Sequence, residues 1–150
     1  MSSEQVAIER FNTVPLFEGL HHREIMELLR IAEDVVAESG QVIVSQGDRA
    51  DGFFVIGAGA FEVVKRGANN KKTVLARLEE LSYFGEMALV RREPRSASVV
   101  CVAPGRLKKF PSALFDQLIE EQNLTAYRVI HNMCRILAER LSRVEERLVS

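Results

Sequence analysis

Between residues 34 and 110 the sequence consists of short runs rich in β-branched residues, and glycine, asparagine or aspartate follows most of them. Such runs favour strands, and the residues between them favour tight turns. Connections this brief join antiparallel strands, because parallel strands need a long crossover. We therefore predict an antiparallel β-roll, or jelly roll. Its strands are predicted at Asp34–Glu38, Gln41–Ser45, Gly52–Ile56, Ala60–Arg66, Lys72–Leu78, Ser96–Val102 and Arg106–Phe110.

Helical periodicity precedes and follows these strands. Apolar residues recur at helical spacing within Arg23–Glu33, which predicts a short amphipathic helix. After Pro111, Ser112 is a candidate N-cap for a second helix whose apolar stripe begins at Phe115, and Asn123 can cap a third. The predicted fold class is therefore α+β, mainly β, with an N-terminal helix and C-terminal closing helices.

Short segments that contain glycine separate several of the predicted strands. The segment Gly57–Ala60 opens no helix and lacks the third glycine of a dinucleotide-binding loop, so we predict a hairpin turn there. Comparable turns are predicted at Ser39-Gly40, Gly47-Asp48 and Gly67–Asn70.

The last predicted helix, Leu124 to about Leu148, carries an apolar seam with alternating spacings of three and four residues, as in a coiled coil. The seam consists of Tyr127, Ile130, Cys134, Leu137, Leu141, Val144 and Leu148. Its first turns could lie on the roll of the same chain. Towards the C-terminus its flanks are charged, which favours a homodimer. We expect one domain, 1–150, with the N-terminal helix, roll and short helix in 12–122 and the dimerisation helix in 123–150.

The composition excludes several classes of protein. A chain of 150 residues that is 47% apolar suits a single core, and a formal net charge of -1 gives no general attraction to nucleic acid or anionic membranes. No apolar run is long enough to span a bilayer. Glu4 and Glu9 lie where a signal peptide would be uncharged, so a cytoplasmic location is expected.

Neither cysteines nor histidines suggest a metal site. Cys101 and Cys134 are expected to be small apolar fillers, and the histidines lack a pattern of acidic or cysteine ligands. A cupin-like enzyme would need clustered histidines on its strands, and the predicted strands carry none. We therefore expect no metal, no cofactor and no catalysis.

The segment Tyr83–Leu89 reads as a turn followed by one helical turn between two strands. Gly85 would let the free N–H groups of that turn approach an anion, and Arg95 could add two more donors. Glu86 would repel a multiply charged phosphate unless it accepted a hydrogen bond from a hydroxyl. A singly charged phosphodiester with a free ribose hydroxyl satisfies both residues.

Phe84–Leu89, followed by Pro94–Ser98, resembles the phosphate-binding cassette of cyclic-nucleotide-binding domains. That family includes bacterial catabolite activators, regulatory subunits of cyclic-AMP-dependent kinase and domains of cyclic-nucleotide-gated channels. The order of elements after residue 10 resembles the family as well. The resemblance implies a β-roll flanked by helices, and a non-catalytic regulatory domain that acts as a ligand-gated switch.

The resemblance also implies roles for individual residues. Glu86 would accept the ribose 2′-hydroxyl and Arg95 would pair with the cyclic phosphate, while Gly85, Ala88 and Ser96 would supply backbone amides and room. The implied ligand site comprises Phe84, Gly85, Glu86, Met87, Ala88, Arg95, Ser96 and Ala97. An ordinary ion pair between Glu86 and Arg95 is the alternative interpretation. Ser96 is compatible with either nucleotide. Cyclic-GMP sites in the family often have threonine there and bacterial cyclic-AMP activators can have serine, so the resemblance modestly favours cyclic AMP.

Recognition of the base stays open. In the bacterial activators a hydroxyl-bearing residue of the last helix contacts adenine across the dimer, but here Val144 and Glu145 occupy that region. Arg140, Arg143 or Glu145 could cover the base instead. Bound ligand is expected to draw in the short helix and to move the closing helices over the base.

Two other functions are typical of relatives of such a domain. Many bacterial relatives carry a helix-turn-helix after the terminal helix, whereas this sequence stops at Ser150 without a basic recognition helix, so direct DNA binding is not expected. A degenerate cyclic-nucleotide-binding fold that serves only as a dimerising scaffold is the alternative function. Intact Glu86 and Arg95 argue against it.

Overall fold

The computed structural model describes residues 9–149, so residues 1–8, which contain Glu4 of the signal-peptide argument, lie outside it together with Ser150. A 3-10 turn, Pro15–Phe17, precedes helix α1, His22–Ile31. The strands are β1 Glu33–Ala37, β2 Val42–Val44, β3 Gly52–Arg66, β4 Lys72–Leu78, β5 Tyr83–Phe84 and β6 Ser98–Pro111. A 3-10 helix, Glu86–Leu89, lies between β5 and β6, and the closing helices are α2 Ser112–Glu120 and α3 Leu124–Val149. All strand pairs are antiparallel, which confirms the predicted roll.

Strands β3 and β6 form the centre of the sheet, whose order is β1-β6-β3-β4 with β2 on β6 and β5 on β3. Side chains alternate along β3, and both faces of its first half are buried. Phe53 and Val55 pack against the helices, whereas Phe54 and Ile56 fill the interior of the roll. The strand therefore separates two hydrophobic clusters.

The predicted hairpin at Gly57–Ala60 is wrong. β3 and β6 are each continuous where two separate strands were predicted, and their register shifts near Ala58 and Ala60. Gly59 has φ +91° and lies against Ala103–Gly105 of β6. A glycine in this conformation inserts a β-bulge, which bends a strand without ending it. The glycine that suggested a turn, Gly59, therefore marks a bend within β3.

Three boundaries also test the sequence analysis. α1 ends at Ile31, two residues before its predicted end, because Glu33 already pairs with Lys109 of β6. Ser112 is not an N-cap: it is the first helical residue of α2 and its hydroxyl donates to the Ala88 carbonyl at 3.0 Å. The Asn123 cap is confirmed, because its Oδ1 accepts from the Ala126 amide at 3.0 Å.

The two cysteines differ in environment. Cys101 is buried in the roll, where burial raises the pKa of its thiol, as expected of a small filler. Cys134 is exposed on α3, so the filler interpretation is wrong there. No helix between residues 9 and 149 combines the length and the apolar character needed to cross a membrane.

Polar side chains join α3 to the N-terminal helices. The buried Glu24 accepts hydrogen bonds from Thr125 and Arg128, both at 3.1 Å. Asn132 donates to the carbonyls of Leu16 and Glu18 at 2.9 and 2.8 Å. Burial acts to raise the pKa of Glu24, but the His21 amide, Thr125 and the Arg128 charge lower that pKa overall.

We expect Glu24→Gln to lower the free energy of unfolding at pH 7 by about 1–3 kcal/mol, since Thr125 and Arg128 lose a charged acceptor. The pKa of Glu24 is lower in the folded chain than in the unfolded chain. Its stabilisation is therefore present above about pH 4.5 and disappears as the pH falls through the lowered pKa. Urea unfolding at pH 7 and at pH 3 should show a gap between the two proteins that narrows in acid. Glu120→Gln, an exposed control on α2, should show neither effect.

Candidate functional site

A cavity of about 310 Å³ lies between the 3-10 helix Glu86–Leu89 and the segment around Arg95. This volume is in the range of small-molecule sites. Six of the eight predicted site residues line it: Gly85, Glu86, Met87, Ala88, Arg95 and Ser96. Phe84 lies instead in the core of the roll, where it stacks on Phe54 with ring centroids 4.8 Å apart, and Ala97 is not part of the lining.

The backbone of Arg95 is fixed by the turn between β2 and β3. The Arg95 amide donates to the Asp48 carbonyl at 2.7 Å, and the Arg95 carbonyl accepts from the Gly47 amide at 2.8 Å. Gly47 has φ +91°, which favours glycine. The Gly47-Asp48 turn thus holds the segment that carries the arginine.

The side chain of Arg95 is only 7% exposed. Its Nη2 donates to the Gly52 carbonyl at 3.0 Å and to Asp51 Oδ1 at 3.3 Å. Burial lowers the pKa of Arg95 and the charge of Asp51 opposes that effect, and an arginine stays protonated at neutral pH in either case. The cavity wall therefore presents a fixed positive charge.

Asp51 is the important residue that the sequence analysis missed. It accepts a hydrogen bond from Lys109 Nζ at 2.9 Å as well as from Arg95, and these cations, Lys109 foremost, hold its pKa below the usual range. Asp51 is 44 residues away from Arg95 in sequence. Because the two residues are so far apart, no sequence motif contains both. Their pairing depends on the Gly47-Asp48 turn, which brings the chain near Asp51 next to Arg95.

Gly85 has φ +80° and precedes the 3-10 helix. A Cβ at this position would lie 2.5 Å from Arg95 Nη1, so only glycine lets the guanidinium approach the backbone. The Ala88 amide, a predicted ligand donor, donates to the Gly85 carbonyl at 3.1 Å in this conformation.

Glu86 does not pair with Arg95. Its carboxylate, with a side chain 14% exposed, lies 3.5 Å from Nη1 of Arg140 on α3. Among the three candidates for covering a base, Arg140 is thus the one that contacts a cavity residue. Burial, followed by the charge of Glu86, raises the pKa of the neighbouring Tyr83.

The carbonyl of Ala88 connects the cavity to α2. It accepts hydrogen bonds from the Ser112 hydroxyl at 3.0 Å and from Arg92 Nε at 3.3 Å. Arg92 also pairs with Asp116 of α2. A displacement of the 3-10 helix would therefore act directly on α2.

The predicted seam of α3 overlaps only in part with the face that packs on the domain. Ala126, Val129 and Met133 are buried against the core. Leu141, Val144 and Leu148 of the seam are 59%, 50% and 80% exposed. Tyr127 and Cys134 are exposed as well, whereas Ile130 and Leu137 are half-buried against the core. In the first turns of the seam only Ile130 packs against the core, whereas Tyr127 and Cys134 are exposed, so the prediction that these turns lie on the roll is wrong for two of the three residues.

Residues 9–149 contain no group of three or more histidine, cysteine, aspartate or glutamate side chains that could hold a metal ion. The buried cation of Arg95 and the carboxylate of Glu86 both line the cavity, and together they suit a ligand that carries one negative charge and a hydroxyl donor.

Comparison with known proteins gives an independent identification. The sequence model of the family "Cyclic nucleotide-binding domain" matches residues 34–122. A cAMP-dependent protein kinase regulatory subunit from Mucor circinelloides f. lusitanicus is 41% identical over 95 residues, which are 63% of this chain and 22% of that protein.

Solved structures agree with this match. The catabolite activator protein of Thermus thermophilus superimposes with a TM-score of 0.78 at 28% identity, over 89% of this chain and 61% of that one. The cAMP-bound PfPKA-R superimposes with a TM-score of 0.69 at 30% identity, over 76% of this chain and 40% of that one. The chain thus spans less than two thirds of each of these relatives.

Proposed function

Because the chain belongs to the cyclic nucleotide-binding domain family, we propose that it binds cyclic AMP in the cavity between Gly85 and Arg95, and that binding regulates a partner without chemical change to the nucleotide. One observation carries the proposal. The buried guanidinium of Arg95 is held at the cavity wall by Asp51 and the Gly52 carbonyl.

The contacts of Arg95 indicate how the phosphate would bind. Nη2 is occupied by Asp51 and Gly52, whereas Nη1 lies beside Gly85 at the cavity. A cyclic phosphate carries one charge, and one fixed cation neutralises it with charge-assisted hydrogen bonds. Glu86, which also lines the cavity, would accept the ribose 2′-hydroxyl.

The closing helices α2 and α3 would respond to bound ligand through their contacts with the cavity. Glu86 contacts Arg140 of α3, and the Ala88 carbonyl accepts from Ser112 of α2. A ligand that repositions Glu86 or Ala88 therefore changes contacts of both helices. The domain acts as a switch to the extent that the ligand binds one helix arrangement more tightly than the other.

Calorimetric titration with cyclic AMP and cyclic GMP tests this function. We expect both to compete for one site and cyclic AMP to bind more tightly. Ser96 supports this order, and so does the similarity to a cAMP-dependent kinase regulatory subunit and to a cAMP-bound structure. Tighter binding of cyclic GMP would reverse the assignment of the ligand. Absence of heat and of thermal stabilisation with both would favour the dimerising scaffold instead.

We also propose that α3 pairs with a second copy of the chain through its exposed seam. Glutamate at Leu141 and Val144 would place charge inside the interface and remove two apolar anchors. The double variant L141E/V144E should raise the dimer dissociation constant at least about 100-fold. Sedimentation over a range of protein concentrations measures it. S142E/V149E adds the same charges at exposed positions outside the seam and should remain dimeric. A wild-type chain that is still monomeric at about 1 mM would refute the dimer.

A further inference from the structure

The hairpin of β3 and β4 carries a cluster of positive charge. Residues 63–78 contain five lysines and arginines and no aspartate or glutamate, although the whole chain has a net charge of -1. Arg77 pairs with Glu62 at 3.4 Å, and Arg66 donates to the Asn70 carbonyl at 3.2 Å. Across residues 9–149, no carboxylate pairs with the three lysines of the hairpin, Lys65, Lys71 and Lys72.

β4 is also an open edge of the sheet. It is the last strand in the order β1-β6-β3-β4, and β3 is its only strand partner within residues 9–149. Residues 72–77 are exposed along their whole length, including Val74 and Leu75. The outer side of such a strand offers unpaired N–H and C=O groups to another strand. A register shift between Val63 and Val64 leaves Leu75 without a Cα partner in β3, so the edge is regular over residues 72–74 and irregular at Leu75.

A groove of about 370 Å³ lies on this hairpin, lined among others by Leu75, Thr73, Lys65 and Lys71. Leu75 offers an apolar surface, and the two lysines place cations beside it. The turn end of the hairpin is held to the connection between β2 and β3, because the Gln46 side chain donates to the Arg66 carbonyl at 3.1 Å and accepts from the Arg66 amide at 2.9 Å. The binding surface is therefore formed in advance.

We propose that this hairpin docks an acidic segment of a partner protein, which adds to the sheet as an extended strand beside β4. Its carboxylates would pair with Lys65, Lys71 and Lys72, and one apolar side chain would lie in the groove over Leu75. Strand addition takes its affinity from backbone hydrogen bonds and its specificity from alternate side chains.

The same features argue against other occupants. A second copy of the chain would bring an equally basic edge, and like charges opposite each other repel. A nucleic-acid or lipid phosphate would use the lysines but neither the strand edge nor the apolar groove. The surface also shares no residue with the nucleotide cavity, so it does not depend on the proposed ligand.

The test uses the whole chain and a blocked heptapeptide, Glu-Glu-Val-Val-Glu-Glu-Val, which places both acidic and apolar side chains on each face of a strand. The peptide is titrated to millimolar concentration and binding is followed by amide NMR shifts. We expect shifts confined to β4, Lys65 and the hairpin turn. K65E/K71E should weaken binding at least about 10-fold. R23E/R30E makes the same charge change on exposed positions of α1 and should bind the peptide normally.

A second peptide, methylated on alternate backbone nitrogens, keeps its charges but cannot pair as a strand, and it should not bind. The proposal is overturned if the first peptide causes no shifts, if K65E/K71E binds it as the wild type does, or if the methylated peptide binds equally well. Vesicles containing phosphatidylserine and a single-stranded oligonucleotide serve as phosphate probes. Binding of either one, lost in K65E/K71E while the peptide stays unbound, would assign the surface to phosphate.

Discussion

Arg95→Ala is expected to weaken cyclic AMP binding at least about 100-fold, the largest functional effect of any single substitution in the cavity. The variant removes the fixed cation from the wall and leaves the phosphate charge unpaired in a site that excludes much of the solvent. The fold should survive, because Asp51 is 64% exposed and keeps Lys109 as a partner. Calorimetry measures the affinity, and thermal unfolding without ligand verifies the fold.

Two controls sharpen that experiment. Arg77→Ala removes an arginine that is 81% exposed on β4 and should bind cyclic AMP as the wild type does. Arg95→Lys keeps the charge but has a single amino group, which cannot contact Asp51 and the cavity at the same time as the two Nη atoms of arginine do. Its affinity for cyclic AMP should therefore lie between those of the alanine variant and the wild type. Affinity of Arg95→Ala within about threefold of wild type would mean that the phosphate binds elsewhere.

Gly105→Ala should cause the largest loss of stability, about 3 kcal/mol or more. A Cβ at this position would lie 1.9 Å from the Ala58 carbonyl oxygen and 2.7 Å from Gly59 Cα. These are backbone atoms of the bulge in β3, so relief of the clash requires the two central strands to separate. Gly67→Ala is the matched control, because its Cβ would meet no atom within 4 Å.

Urea unfolding of both variants gives the measurement. Unfolding of Gly105→Ala at a much lower urea concentration than Gly67→Ala, or failure of Gly105→Ala to fold while Gly67→Ala folds, agrees with the structure. Equal midpoints for the two variants would show that the bulge rearranges without cost.

The class of fold was predictable because strands and turns are favoured by residues that are neighbours in the sequence. The length of β3 was not predictable, since Gly59 carries the same signal in a bulge as in a hairpin, and only its partner strand distinguishes them. The Ser112 error has a similar origin: a serine before a helix suits a cap, but the Ala88 carbonyl competes for its hydroxyl.

In the site, too, the residues that lie close together in sequence were predictable and the distant ones were not. Gly85, Glu86 and Arg95 lie close together in sequence, and the cavity brings them together. Asp51 and Arg140 reach this region from distant positions, and their roles depend on how the chain turns and on where α3 lies. For α3, periodicity identified an apolar face but not the neighbouring face that packs on the core.

The two hydrophobic clusters on either side of β3 share no residue. The apolar side chains inside the roll therefore stay buried when the helices shift. The helices and the roll can unfold as separate cooperative units. A ligand that moves the helices, as proposed above, would therefore disturb the cluster beneath the helices and leave the cluster inside the roll intact. A domain with a small total stability can thus change shape at one end without approaching global unfolding.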